Sequence, residues 1–381
     1  MKGFNHMLTS NERIMRLFMN KEVDRPALKL WGANKYNNGD WLLNPMYKPV
    51  AQQASDISDL FGNSYSPFDA YCGKNIGNII ETVEKKTAEP TWVEHHTTYH
   101  TPLGDLHSVY RFSTVGEPGM TTEYAVKDEA DLKKLLSIPY EPIPFQSNHD
   151  ETVRVMGDRG VVMVGLEHPA YSLQRMTGSE TLAIMSFDSR ELIDEIISVY
   201  AKRIYNHTKA VIDAGIKAPF SWVGPELFIP PLMSPADFDD FVLKYDKPLC
   251  DLIHNNGGYV WVHCHGKVGN FIEKYIDMGV DILNPLEPAP NGDVVMDDIV
   301  NKFGSRIGLE GNIEIQEILQ AEPDHLKFLI DVCVEAGSKG GRFILCPSAG
   351  FMEYPFPDQK YIDNLLLYLK YGYECVNKYC K

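Results

Sequence analysis

The sequence predicts an α/β fold: a closed (β/α)8 TIM barrel that carries an N-terminal helix and an inserted β-hairpin. From about residue 160 onward, apolar segments rich in Val and Ile alternate with amphipathic helices, which is typical of a parallel sheet. Two further strands, near the N-terminus and within 55 to 75, bring the count to the eight that a closed barrel requires. The rival fold is an open doubly wound sheet, but no G-x-G-x-x-G motif follows any strand.

The first third of the chain supplies the helix, the first strands and the hairpin. Thr9 and Glu12 match a capping box, which predicts a helix start at this point. The apolar residues that follow share one helical face, namely Ile14, Leu17 and Phe18. The first strand is expected at 26 to 34. Alternation around a Pro-Leu-Gly-Asp turn predicts an antiparallel hairpin at about 89 to 125, inserted into the barrel.

The remaining strands and helices follow from the same two periodicities. Strands are predicted at 161 to 169, 218 to 226, 258 to 266, 280 to 288, 306 to 314 and 341 to 350. Helices are predicted at 179 to 214, 234 to 256, 267 to 278, 322 to 337 and 359 to 378.

Length and composition favour one large domain over residues 1 to 381. The formal charge of −16, from 36 basic and 52 acidic side chains, argues against a nucleic-acid-binding surface, which needs clustered Lys and Arg. There is no signal-peptide core and no apolar run of about 18 residues, so we expect a cytoplasmic protein with no membrane partner. Seven cysteines without an export signal predict free thiols.

Polar residues end most of the predicted barrel strands. In a TIM barrel the active site lies at the carboxyl ends of the strands, so these residues are expected to meet at one mouth. Two of them, Glu226 and Glu287, are candidates for catalytic acid, base or substrate anchor. The expected substrate-binding residues are the other strand ends and the loop after the first strand: Trp31, Asn34, Tyr36, His168, Asn284 and Asn312.

Two histidines flank a cysteine in the segment Tyr-Val-Trp-Val-His-Cys-His-Gly. Strand side chains alternate, so His263 and His265 share a face with Trp261, while Cys264 lies on the face with the valines. Branched valines suit the layer that packs on helices. The histidines are therefore expected to point into the barrel mouth and Cys264 towards a helix.

Two imidazoles two residues apart on one strand can bind one zinc ion if another strand supplies a third ligand. Cys346 is the first choice because a thiolate suits zinc, and Glu226 or Glu287 could serve instead. The plainer interpretation is that the histidines hydrogen-bond neighbouring residues and that Cys346 is a core thiol.

Seven segments spread along almost the whole chain carry a family resemblance. They are DRPALKLWG, TPLGDL, LMSPADFDDFV, VHCHGKV, GVDILNPLEP, FGSRIGLEGNIEIQEIL and FILCPSAG. Together they resemble the uroporphyrinogen decarboxylase superfamily, which contains the decarboxylase and zinc-dependent methyltransferases that use methylated corrinoid proteins. The resemblance implies a (β/α)8 barrel, in agreement with the strand count.

Site residues separate the two branches. The decarboxylase holds a substrate with eight carboxylates through an Arg-Gln-Ala-Gly-Arg element, whereas the segment after Arg25 and Pro26 is LKLWGANKY, without arginine. The methyltransferase branch carries His-x-Cys-Gly zinc ligands and a cysteine in Pro-Gly-Cys-Gly at the last strand. The matching residues here are His263-Cys264-His265-Gly266 and Pro347-Ser348-Ala349-Gly350, so one ligand becomes histidine and Ala349 replaces the last cysteine.

The resemblance therefore implies an enzyme that moves a methyl group between a small metabolite and a corrinoid carried by a partner protein. Its zinc would be held by His263, His265 and Cys346. Two alternatives stay open. One is a decarboxylase-like lyase in which histidines and glutamates transfer protons without metal, and the other is a non-catalytic barrel that binds a small ligand or a corrinoid domain.

Overall fold

The structure is a computed structural model that describes residues 7–32, 45–350 and 358–380. Its strands are β1 Ala27–Leu28, β2 Leu60–Ser64, β3 Ile80–Lys86, β4 Trp92–Tyr99, β5 Leu106–Ser113, β6 Met120–Glu123, β7 Gly160–Gly165, β8 Pro219–Val223, β9 Tyr259–His263, β10 Ile282–Asn284, β11 Gly308–Ile313 and β12 Phe343–Pro347.

The helices lie mainly between the strands of the parallel sheet. They are α1 Ser10–Phe18, α2 Lys48–Ile57, α3 Ile76–Ile79, α4 Glu129–Leu136, α5 His149–Met156, α6 Pro169–Asp188, α7 Arg190–Asp213, α8 Pro235–Phe238, α9 Lys244–Asn255, α10 Ile272–Met278, α11 Met296–Phe303, α12 Ile315–Gln320, α13 Pro323–Ser338 and α14 Gln359–Asn377. None of the helices in the described ranges is both long and apolar enough to cross a bilayer.

Eight strands form one parallel sheet in the order β1-β12-β11-β10-β9-β8-β7-β2. Asp59, the residue before β2, joins the two end strands. Its backbone N–H donates to the carbonyl oxygen of Leu28 at 2.7 Å, and its side chain accepts from the Leu28 N–H at 3.0 Å. The predicted (β/α)8 barrel is thereby confirmed.

Strand β9 shows the alternation that the sequence predicts. Val260, Val262 and Cys264 belong to the core between the sheet and the helices, whereas Trp261 belongs to the cluster inside the barrel. The carboxyl end of this strand therefore delivers His263 to the interior, on the same face as Trp261.

The N-terminal helix α1 closes the opposite end of the barrel. Its capping box is formed as predicted, because Thr9 Oγ1 accepts from the Glu12 N–H at 3.2 Å and Glu12 accepts from the Thr9 N–H at 2.9 Å. The apolar face of α1 packs on the interior residues of the strands, and this cluster includes Ile14, Leu17, Phe18, Val161, Met163 and Ile282.

A buried ion network anchors α1 to the barrel wall. Arg13 donates to Asp24 at 2.7 Å and to Asp59 at 2.7 Å, and Arg25 donates to the second oxygen of Asp59 at 3.0 Å. Charges in such a setting are tolerated because each has an opposite partner. Asp59 therefore serves both the closure of the sheet and the attachment of the helix.

The predicted hairpin is the centre of a larger insertion. Strands β4 and β5 pair antiparallel around the predicted turn, where Gly104 adopts a positive φ of 111° that favours glycine. Two outer strands, β3 and β6, extend it to a four-stranded sheet in the order β3-β4-β5-β6. Strand β3 was not predicted because its sequence IETVEKK is mostly exposed and charged and has no apolar face.

Several predicted boundaries are wrong in an informative way. The predicted helix at 179 to 214 is two helices, α6 and α7, which meet at Ser189. The barrel strands also end earlier than predicted. For example, β8 ends at Val223 rather than 226. As a result, Glu226 and Glu287 lie on the loops that follow their strands.

Candidate functional site

The two histidines of the HCH segment lie side by side at the barrel mouth. Their ring centroids are 4.4 Å apart and the rings are nearly perpendicular. Trp31 packs edge-on against His263 with centroids 5.4 Å apart, and Trp261 stacks on it from below at 5.9 Å. His263 is buried, whereas the His265 side chain is 38% exposed and can be reached from solvent.

His265 forms an ion pair with Glu287. Its Nδ1–H donates to Glu287 Oε1 at 2.8 Å, and the other carboxylate oxygen accepts the N–H of Gly266 at 2.6 Å. Gly266 has a φ of 92°, which suits glycine and turns its N–H towards the carboxylate. Burial lowers the pKa of His265, but the hydrogen bond and charge of Glu287 outweigh it and leave the pKa raised.

His263 has a different environment. Its Nδ1 lies 2.6 Å from Oδ1 of Asn284, which is completely buried. Burial, and after it the charge on His265, lowers the pKa of His263 to about 4. The pKa values of the two neighbouring imidazoles therefore shift in opposite directions, which favours the neutral form of His263 and the charged form of His265. This is a usual arrangement of a proton acceptor beside a proton donor.

A buried carboxylate lies beneath this pair. Glu310 Oε1 accepts from Lys29 Nζ at 2.6 Å and from Asn284 Nδ2 at 3.0 Å, and Oε2 accepts from Trp261 Nε1 at 2.8 Å. Lys29 lies over the rings of Trp31, Phe61 and Trp261, at 4.2, 4.3 and 4.7 Å from their centroids. Sequence reasoning missed Lys29, although a lysine within the apolar segment Pro-Ala-Leu-Lys-Leu was a signal for it.

Two more carboxylates stand near His265. Glu226 follows β8, accepts the N–H of Gly224 at 3.0 Å, and has a pKa raised by burial. Glu314 follows β11 and accepts from the Ser348 hydroxyl at 2.9 Å, and burial and the charge of Glu287 raise its pKa. The charges of both act on His265. The mouth around the histidines is therefore acidic.

The structure describes four of the six predicted substrate-binding residues. Trp31 lies at the site, where it contacts His263 and donates from Nε1 to the carbonyl oxygen of Pro347 at 3.0 Å. Asn312 is half-buried and pairs in register with Cys346. Asn34 and Tyr36 lie outside the described residues.

Two of the predicted substrate-binding residues have side chains that are buried and hydrogen-bonded inside the protein. His168 caps α6 and turns its ring into the layer between sheet and helices, where Nε2 lies 3.1 Å from Asp246 and the side chain is 2% exposed. Asn284 is at the site, where its fully buried side chain hydrogen-bonds both His263 and Glu310.

Cys346 faces the barrel interior, but its thiol has charged neighbours other than the imidazoles, since the pKa of this fully buried thiol is raised by burial and by Glu310. Among the described residues, no group of three or more His, Cys, Asp and Glu side chains is arranged to hold a metal ion. The predicted zinc shell of His263, His265 and Cys346 is therefore not assembled here.

The histidine pair nevertheless has one property of metal ligands. Each Nδ1 is engaged by a polar neighbour, and neither Nε2 makes a hydrogen bond with another described residue. Metal-binding histidines usually have their second nitrogen fixed in this way. The pair supplies two ligands of a zinc site, and no third His, Cys, Asp or Glu in the described ranges completes the set that such sites require.

The family model for uroporphyrinogen decarboxylase (URO-D) matches residues 114–356. The chain belongs to the uroporphyrinogen decarboxylase family. A relative with that name from Prochlorococcus marinus (strain MIT 9211) is 24% identical over 89% of this chain and 91% of its own length. One from Parasynechococcus marenigrum (strain WH8102) is 28% identical, but the chain spans only 43% of its length.

Structural comparison agrees with this family at the level of the fold. A methyltransferase from Methanosarcina mazei superposes with a TM-score of 0.57 and covers 96% of this chain and 99% of its own length, at 14% sequence identity. At that identity the likeness concerns the barrel fold alone.

Proposed function

We propose that this member of the uroporphyrinogen decarboxylase family is an enzyme that transfers a methyl group between a small metabolite and a corrinoid carried by a partner protein. The observation that carries the proposal is the pair formed by His265 and Glu287 beside His263 at the barrel mouth. A demethylated oxygen or nitrogen needs a proton when it leaves, and this pair is built to hold one.

The residues have separate parts in this chemistry. The bond between the methyl carbon and the donor heteroatom breaks, the heteroatom keeps the electron pair, and it takes a proton from Nε2 of His265. Glu287 holds His265 through Nδ1 and balances its charge. The corrinoid supplies the reduced cobalt that accepts the methyl group. In the opposite direction, His265 removes the proton from the metabolite.

Charge at the mouth favours this function over decarboxylation of uroporphyrinogen. A substrate with many carboxylates needs arginine partners, and here Glu226, Glu287 and Glu314 surround His265 instead. Both cations of the first-strand segment that lie within the described residues are already in ion pairs. Arg25 pairs with Asp59 near the opposite end of the barrel, and Lys29 pairs with Glu310.

Zinc stays part of the proposal only in a limited sense. His263 and His265 would hold it through Nε2 only in the form in which His265 carries no proton on that nitrogen, and in that form the ion would polarise a bound heteroatom as a Lewis acid. No step above depends on the ion, because proton transfer by His265 and charge compensation by Glu287 use side chains of this chain alone.

The test is an anaerobic methyl-transfer assay with free cob(I)alamin as acceptor and O-methyl and N-methyl compounds as donors, followed by the absorption spectrum of the corrinoid. We expect His265→Ala and Glu287→Gln to lose about a hundredfold or more in rate. The matched control is His254→Ala, since His254 forms a similar ion pair, 2.9 Å from Asp281, away from the mouth. Release of carbon dioxide from uroporphyrinogen, or equal rates for all variants, would refute the proposal.

A further inference from the structure

A buried hydrogen-bond network under the mouth joins five side chains from four strands or the residues that follow them. It runs from Lys29 through Glu310 and Asn284 to His263, and Trp261 joins it at Glu310. Four of these side chains are at most 5% exposed and His263 is 8% exposed, so water does not compete for their hydrogen bonds. Each donor in the network therefore has to face an acceptor of the same network.

Glu310 fixes which atoms donate and which accept in this hydrogen-bond network. Its partners Lys29 Nζ and Trp261 Nε1 can only donate, so the carboxylate accepts from both. The Asn284 atom that faces Glu310 must then be the amide nitrogen, which donates at 3.0 Å. The reversed amide would place its oxygen against a carboxylate, and two acceptors in a buried site repel each other.

The amide in turn decides the state of His263. With its nitrogen on Glu310, Asn284 presents only its oxygen to His263, at 2.6 Å from Nδ1. An amide oxygen accepts and never donates, so the imidazole proton has to be on Nδ1. In the neutral ring, Nε2 then carries the lone pair.

We propose that Glu310 and Lys29 are positioning residues that fix His263 as the Nδ1–H tautomer, so that its Nε2 meets the substrate or ligand as a hydrogen-bond acceptor. The site thereby presents an acceptor on His263 beside a proton donor on His265. The assignment of acceptor and donor roles rests on the proposed function, whereas the tautomer of His263 is a property of the protein without substrate.

The test is nitrogen-15 NMR of histidine-labelled protein at neutral pH, with no substrate present. A His263→Gln variant identifies the His263 signals among those of the twelve histidines. We expect a protonated Nδ1 and an unprotonated Nε2. A protonated Nε2 in the natural protein would overturn the proposal.

The double variant Lys29→Met/Glu310→Leu removes the ion pair and the acceptor that orients Asn284. The risk to folding is small, because a buried ion pair is often replaced by apolar residues without loss of stability. The methionine would lie among the three aromatic rings around Lys29. Asn284 then has no acceptor to orient it, and we expect a second set of His263 signals from the Nε2–H tautomer. A single Nδ1–H form in this variant would refute the assignment.

Trp261→Phe is the matched control. It removes one donor to Glu310 and keeps Lys29, Asn284 and an aromatic ring, so the Nδ1–H form should persist. The methyl-transfer assay is read separately: a protein that shows the expected tautomer and transfers no methyl group would refute the proposed function and leave this inference standing.

Discussion

His265 Nδ1 lies 2.8 Å from Oε1 of Glu287, which is 22 positions further along the chain, in the loop after β10. The same carboxylate is held by the N–H of Gly266, so the acceptor is in place whether or not the imidazole is charged. In the proposed function, this pairing lets His265 carry a proton to and from a bound molecule.

The first prediction concerns that pairing. Glu287→Gln removes the negative charge that outweighs burial, so the pKa of His265 should fall to or below the usual value of about 6.5. An NMR titration measures it directly. Glu317→Gln is a surface control, since Glu317 faces His325 at 3.5 Å and both are about half exposed. An unchanged His265 titration in Glu287→Gln would contradict the pairing.

A second prediction tests where Cys346 lies. An ion held by His263 and His265 alone lacks a third protein ligand and should be lost on dialysis against a chelator. Metal analysis before and after dialysis measures this. About one retained equivalent of zinc that disappears in Cys346→Ser and stays in the control Cys333→Ser would show that the thiol does reach the histidines.

A third prediction follows from the buried position of His168. His168→Ala deletes a buried partner of Asp246, which keeps its bond from Trp222 Nε1 at 3.1 Å. We expect a loss of about 1 to 3 kcal/mol in the free energy of unfolding, with the rate of methyl transfer kept. Urea unfolding and the rate assay measure the two effects. His265→Ala should lose rate and keep its stability. A rate loss without destabilisation in His168→Ala would show that His168 acts in the active site.

A fourth prediction concerns the closure of the barrel. Asp59→Asn leaves Arg13 and Arg25 short of a buried counter-charge, and we expect it to destabilise the fold by about 3 to 5 kcal/mol. Denaturant unfolding measures this. The control is Asp56→Asn, three residues earlier on the exposed side of α2, where little change is expected.

The same residue predicts how stability depends on pH. Burial raises the pKa of Asp59, but Arg25 and Arg13 outweigh it, so the folded-state pKa lies below the unfolded value of about 3.9. The stabilisation is therefore fully present above that value and is lost as the pH falls through the folded pKa. Asp59→Asn should flatten the acid limb of a plot of stability against pH, and an unchanged limb would contradict the assignment.

The sequence predicted those structural features that depend only on neighbouring residues. The capping box of α1 and the alternation in β9 are such parts, and both are formed. The facing of His263 into the barrel followed from that alternation. These features need only the two repeat lengths of helix and strand, which the chain displays directly.

Contacts between distant segments could not be predicted in the same way. Lys29 and Glu310 are 281 residues apart, and their pairing depends on the registers of β1, β12 and β11. The packing of His168 could not be predicted for another reason. Only three residues separate β7 from the start of α6 at Pro169, so His168, the last of them, becomes the helix cap and its ring turns away from the barrel interior.

The two bonds between Asp59 and Leu28 have a consequence for any shortened form of this protein. A fragment that starts after β1 would leave β2 and β12 as open edges with unpaired peptide groups. Such edges recruit strands from other molecules. We therefore expect removal of β1 to expose these edges and to promote aggregation, quite apart from any part that β1 plays in chemistry.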